Sequence, residues 1–220
     1  MKHLNTYIER EDYGPFREFC LRHGERHEYK RREFFCRAGD GAARLGYIEA
    51  GGVHYIFADA NGDIHTVGFS FEEDFAVDYP SFLRRRSPTV DIQALENCVI
   101  YTITRRQFDE FVDKNRATQR IVQRMSEELF ITTYERLLAF YALTPEQRYL
   151  NLLAEYRDIV NRVPMKIIAS FIGIAPESLS RIRQRIARKN KNISSAAGGG
   201  AHRRCEPPRI VMLHRKLRPL

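Results

Sequence analysis

The chain has 220 residues, 43% hydrophobic and 29% charged, enough apolar material for a real core and an ordinary balance for a soluble protein. No apolar run approaches the roughly 18 residues of a membrane span, and the start MKHLNTYIEREDYG has no signal-peptide stretch, so a cytoplasmic location without membrane association is expected. Cys20, Cys36, Cys98 and Cys205 are scattered, with no C-x-x-C pair and no histidine at zinc-site spacing; free thiols are expected, and no metal or haem.

The net charge of +8 is unevenly distributed. Between 164 and 191 Glu177 stands alone against seven basic residues, and from 192 onward Glu206 stands against six, which leaves the first 163 residues mildly acidic. A basic C-terminal end on an acidic body points to a polyanion, nucleic acid before membrane.

In chain order, residues 5–30 read as polar and helical. From Glu33 short β-rich runs follow, EFFCRAGD, RLGYIEAGG, VHYIFADANGD and IHTVGFSFEED, then PTVDIQAL and CVIYTIT. Asn61-Gly62 between two alternating runs is a strong hairpin signal. Runs at this spacing predict a sandwich, barrel or jelly roll. RRQFDEFVDKN predicts a short helix, and RATQRIVQRMSEELFITTYERLLAFYAL a long one without Gly or Pro. Its apolar positions Ile121, Met125, Leu129, Thr132 or Thr133, Leu137 and Phe140 recur every three to four residues, as in a seam against a second copy of the chain. Thr144-Pro145 opens another helix. After Lys191 an Ala/Gly tract and an unpatterned basic segment predict a disordered tail. The expected domains are 1–113, 114–142, 143–191 and the tail 192–220.

The stretch IASFIGIAPESLSRIRQR, 168–185, contains a helix break. Ala169 is small enough for a crossing helix. Gly173 can adopt the left-handed backbone of a sharp turn, Ile174 plugs the corner, and Leu179 and Ile182 sit a turn apart on the buried face of the next helix. Pro176 suits that helix's first turn. This is a helix-turn-helix. Glu177, Ser178, Ser180, Arg181 and Gln184 face away from the buried side and are side chains that read base edges in the major groove. Arg183, Arg185, Arg188 and Lys189 are expected on phosphates.

IASFIGIAPESLSRIR resembles the DNA-binding segment of the CRP/FNR family of bacterial transcription regulators. Glu177-Ser178-Leu179-Ser180-Arg181 is similar to the E-x-x-S-R pattern of its FNR branch, and RVPMKIIASFIGI to its Bacteroidetes-type members. The resemblance covers nearly everything before Lys191. It implies an α+β fold: an N-terminal antiparallel, jelly-roll-like β-roll of the cyclic-nucleotide-binding type, a long central dimerisation helix, and a C-terminal winged helix-turn-helix. It also implies a homodimer reading a palindrome in double-stranded DNA through Glu177, Ser180 and Arg181, with RNA polymerase as a further partner.

Nucleotide-binding members of that family carry a Gly-Glu-hydrophobic cassette followed by Arg-Ser or Arg-Ala. The acid takes the ribose hydroxyl; the arginine and backbone N–H groups take the phosphate. Here the glycine becomes Val77, the acid Asp78, and the pair Pro88-Thr89. Proline has neither charge nor N–H to offer a phosphate. A two-residue shift recruits Arg86 and Ser87 instead. The effector candidates are Asp78, Arg86, Ser87 and Thr89, the cassette is degenerate for a cyclic nucleotide, and an unidentified ligand or a roll kept as dimer scaffold remain open. Two other classes stand beside the non-enzymatic regulator. A cupin-like metalloenzyme needs a ligand set that His54 and His65 do not supply at suitable spacing, and a membrane-surface protein would use the basic tail.

Overall fold

Residues 13–156 and 158–196 are described by the computed structural model of the chain. Helix α1 (Gly14–His23) precedes strands β1 (Glu25–Tyr29), β2 (Phe34–Cys36), β3 (Leu45–Ala50), β4 (Val53–Ala58), β5 (Ile64–Ser70) and β6 (Phe75–Ala76). A short helix, α2 (Tyr79–Leu83), then leads to β7 (Asp91–Ala94) and β8 (Cys98–Ile103). The strands form two four-stranded sheets, β1-β8-β3-β6 and β2-β7-β4-β5, with every pair antiparallel. Apart from the β4–β5 pair, spatial neighbours are distant in sequence, as in a jelly roll.

Phe35, Ile48, Val53, Ile92, Ala94 and Ile100 fill the space between the sheets. Their alternation with exposed or half-buried residues, as along β7, is the period-two pattern of a strand with one face buried. The β4–β5 hairpin turns at Asp59–Asp63. The Asp59 carboxylate accepts from the Asn61 and Asp63 N–H groups, and Gly62 takes a φ of +83°. Residues 25–29, expected in a helix, form β1 instead, because their backbone pairs along the whole of β8; tertiary pairing overrides a charged local sequence.

Aromatic rings close one end of the roll. Phe16 of α1 lies 4.8 Å from Phe111 and 5.0 Å from Phe75, centroid to centroid. Helices α3 (Arg105–Asp113), α4 (Arg116–Ala142) and α5 (Pro145–Glu155) each begin with a capping box, Thr104 with Gln107, Asn115 with Thr118, and Thr144 with Gln147. The one-turn α6 (Ile159–Arg162) leads to α7 (Met165–Ile172) and α8 (Pro176–Ala196). Helix α8 runs five residues past the expected boundary at Lys191. The remainder of the expected tail, any wing, and Cys205 lie outside the described residues.

The C-terminal helices share a core with the roll. Phe69, Phe71 and Leu95 join Tyr156, Ile159, Ile168, Phe171, Leu179 and Ile182 in one buried cluster. At its edge Arg162 donates to Glu72 at 2.7 and 2.8 Å and also to Glu96, and its guanidinium stacks 4.6 Å over the Phe71 ring. Burial alone would raise the Glu72 carboxyl; the Arg162 hydrogen bonds and charge outweigh it and hold the group below its ordinary range.

Candidate nucleic-acid interface and internal cavity

Helix α7 ends at Gly173, whose φ of +73° lies in the left-handed region. The Ile174 N–H donates to the Ala169 carbonyl at 3.0 Å and the Gly173 N–H to Ser170 at 3.1 Å, a Schellman-type closure. A Cβ at Gly173 would stand 2.8 Å from a ring carbon of Phe140, so both conformation and space demand glycine. Pro176 then opens α8. Leu179 and Ile182 face down into the shared core with Ile186 packed beside them.

On the opposite side Glu177, Ser180, Arg181, Gln184 and Arg188 are exposed. Their spacing of three, four, seven and eleven from Glu177 places them in one stripe along the helix. Among the described residues no hydrogen bond or ion pair engages these five side chains. Ser178 is half-buried at the edge of the stripe. The other three expected contacts point elsewhere. Arg185 Nε lies 3.0 Å and Lys189 Nζ 3.4 Å from the Glu146 carboxylate on α5. Arg183 sits at the Tyr149 hydroxyl, whose titration burial raises and the guanidinium partly offsets. Sequence spacing put all of them on α8 but could not show that α5 passes beneath its flanks.

Of the effector candidates, Asp78 and Thr89 come together, bonding each other, while Arg86 and Ser87 stand apart. Asp78 is buried, and its Oδ2 accepts from the Thr89 N–H at 2.6 Å, the Thr89 hydroxyl at 2.9 Å and the Ser81 hydroxyl at 2.8 Å. Arg86 and Ser87 are exposed, and the backbone of Arg86 is engaged by Ser81 and Ala43. Neighbouring Arg85 pairs with Asp109 at 3.0 Å.

A cavity of about 800 Å³ lies between the roll and α4. Its walls include Tyr55, Phe69 and Val77 from the roll, Met125, Leu129 and Thr133 from α4, and Phe171 and Gly173 from the helix-turn-helix. The expected seam on α4 is therefore divided. Ile121 and Met125 pack on the roll's own core, while Leu129, Thr132, Thr133, Leu137 and Phe140 line this cavity, which Met125 also borders. A second apolar face carries Ile131, Tyr134, Leu138 and Tyr141, the last 85% exposed. Its three-to-four-residue spacing is present in the sequence, one strip over from the stripe chosen there.

No group of three or more His, Cys, Asp or Glu suited to a metal occurs among the described residues. His54 bonds Gln93 at 3.0 Å and His65 bonds Asp59 at 3.0 Å. Burial pushes the Cys20 and Cys36 thiols up to about 12 and Cys98 to about 11, so they are inert rather than nucleophilic. No helix among the described residues is long and apolar enough to cross a membrane.

Residues 26–115 match the model of the cyclic nucleotide-binding domain. Over 195 residues the chain is 24% identical to the cAMP-activated global transcriptional regulator CRP of Salmonella typhimurium, covering 84% of this chain and 91% of that protein. In fold it resembles the c-di-GMP responsive regulator CLP of Xanthomonas campestris, with TM-score 0.63 and 20% identity over 81% of this chain and 93% of that one. It also resembles FixK2 of Bradyrhizobium japonicum, with TM-score 0.64 and 12% identity over 76% and 86%.

Proposed function

We propose that the chain is a transcription regulator of the CRP/FNR type, a reading supported by its match to the cyclic nucleotide-binding domain and its likeness to CRP, and that it binds a palindromic DNA site as a homodimer through Glu177, Ser180, Arg181 and Gln184. The observation that carries this reading is the outer stripe of α8: polar side chains exposed and without internal partners, held rigidly above a buried apolar face and behind a left-handed glycine turn. Arg181 suits guanine and Glu177 the amino group of cytosine. Arg188, at the far end of the stripe, suits a phosphate. Arg183, Arg185 and Lys189 first stiffen α8 against α5, and their charge adds to the field without aimed contacts.

The second apolar face of α4 supports dimerisation: Ile131, Tyr134, Leu138 and Tyr141 form an exposed strip of the kind that coiled-coil partners bury. Control follows from the shared core. Strand β5 donates its Thr66 N–H to the Ser170 hydroxyl of α7 at 2.8 Å, and Phe69 packs 4.8 Å from Phe171. A molecule bound between β5 and α4 therefore touches the wall that positions α8, and it shifts the population of recognition-helix spacings by its differential affinity for them.

Selection of bound sequences from a random DNA pool tests the reading. An inverted repeat with two half-sites is expected, and Arg181→Ala should relax one position in each. Failure to enrich any sequence at low salt would sink it.

A further inference from the structure

The cavity between β5 and α4 has the size of a small-molecule site, about 800 Å³, and its charges exclude one ligand class. Its walls carry Glu73, Asp74, Asp78 and Glu128 with one arginine, Arg136, and one histidine, His65, and Glu73 is already paired with Arg17 at 3.1 Å. Arg136 is committed: it donates to the Val67 carbonyl at 2.9 Å, lies 4.9 Å over the Phe171 ring, and faces the Glu155 carboxyl, which burial raises and this guanidinium pulls back. His65 is held by Asp59 at 3.0 Å.

The donors that a phosphate would need are equally committed. In the stretch similar to a phosphate cassette, the Thr89 N–H, the Thr89 hydroxyl and the Ser81 hydroxyl all converge on one oxygen of Asp78. The protein's own carboxylate sits where an incoming anion would have to sit. A phosphodiester entering this space would leave water for a wall whose arginine and histidine are already engaged, which is costly. Several of the other wall hydroxyls are bonded within the protein: Tyr79 to Ser126 at 2.7 Å, and Tyr55 to Ser70 and the Phe75 carbonyl at 3.1 Å. What is left to recognise a ligand is mainly aromatic and aliphatic surface, with the neutral hydroxyls of Thr132 and Thr133 beside it.

We infer that this cavity takes an uncharged, apolar small molecule and that a cyclic nucleotide is not its ligand. The inference rests on the reading of the cavity as the effector site, but occupancy can be measured without DNA. A second copy of the chain is the rival occupant. The separate apolar face at Tyr134, Leu138 and Tyr141 gives that copy a place of its own.

The test uses the full chain and the neutral apolar fluorophore N-phenyl-1-naphthylamine, whose emission rises when it leaves water. One saturable site per chain is expected, undisturbed by excess cyclic AMP. Thr133→Trp and Met125→Trp both fill the cavity from α4 and should each weaken the dye by roughly tenfold or more, equal to about 1.4 kcal/mol; either one that keeps its melting transition suffices. Displacement of the dye by cyclic AMP, absence of a saturable site, dye binding that appears only when the dimer is diluted apart, or unchanged binding in a folded tryptophan variant would each overturn the proposal. None of these outcomes depends on whether the protein selects a DNA site, so failure of the regulator reading would be visible separately.

Discussion

The outer stripe of α8 and the Asp78 cluster of the roll are built from similar polar side chains and use them in opposite ways. On α8 Glu177, Arg181 and Gln184 stand exposed with no partner among the described residues, although the helix beneath them is anchored by fully buried Leu179. In the roll, three donors close on a single oxygen of Asp78. A polar group without an internal partner at the surface is solvated and free to bond something outside the protein; one that is saturated from within serves the fold. On the reading proposed above, the contrast separates a DNA-facing stripe from a cassette-like stretch whose donors are taken up by the protein's own Asp78.

The largest effect should come from the anchor rather than from either polar set. Leu179→Ala removes a side chain that is 0% exposed in the core shared by α7, α8 and the roll. A loss of about 2–5 kcal/mol is expected in chemical unfolding. Because Phe69 and Phe71 of the roll belong to the same cluster, the transition should lose cooperativity between the two halves. An unchanged midpoint would mean that the stripe is not held rigidly. Next comes Asp78→Ala, which orphans the buried Ser81 hydroxyl and two Thr89 donors. A cost of about 1–3 kcal/mol is expected, with no gain of cyclic AMP binding by calorimetry. A stable variant that acquires such binding would show that the cassette is merely plugged, and the comparison would collapse.

Features specified by one or two residues could be read from the sequence. The hairpin follows from Asn61-Gly62, the α7–α8 corner from Gly173, and the start of α5 from Thr144-Pro145, because each requires a backbone conformation that few residues supply. Features made by partners distant in sequence could not be read. The segment ERHEY of β1 reads as helical from its charged local sequence and becomes a strand only beside β8. The turning of Arg185 and Lys189 toward Glu146, and the clamp of Arg162 on Glu72 and Glu96, join residues some forty to ninety positions apart. The stripe on α4 is a different case. Its period was correct, but a long helix with two apolar strips leaves open which one meets the roll, and only packing decides.

The two kinds of arginine on α8 sharpen the contrast further. Arg181→Ala should leave stability within about 0.5 kcal/mol, as for other surface sites, yet relax discrimination at one base pair by about 1–3 kcal/mol in a gel-shift series. Arg185→Ala should do the reverse: lower the melting temperature slightly by removing one of the two cations held at Glu146, and weaken all DNA sequences alike. If both variants weaken every sequence equally, Arg181 is a phosphate contact and the specific half of the interface lies elsewhere.

His54 offers the smallest effect and joins the two behaviours in one ring. Its Nε2 bonds Gln93 at 3.0 Å, while Nδ1 is buried without a partner in the structure. Burial depresses its pKa, opposed only by the Gln93 hydrogen bond, so the folded protein carries the neutral ring. The unfolded chain takes up a proton near 6.5 that the folded one refuses. The contribution of His54 is therefore complete above that pH and is lost as pH falls toward the folded value, at a slope of at most about 1.4 kcal/mol per pH unit. Across β4 and β5 His54 is opposite Phe69, which belongs to the core shared with α7 and α8, so a charged ring should loosen the seat of α8. Denaturation midpoints between pH 7 and pH 5 should decline in the wild type and flatten in His54→Gln. A wild-type slope that survives the substitution would place the titrating group elsewhere and leave the seat of α8 insensitive to this ring.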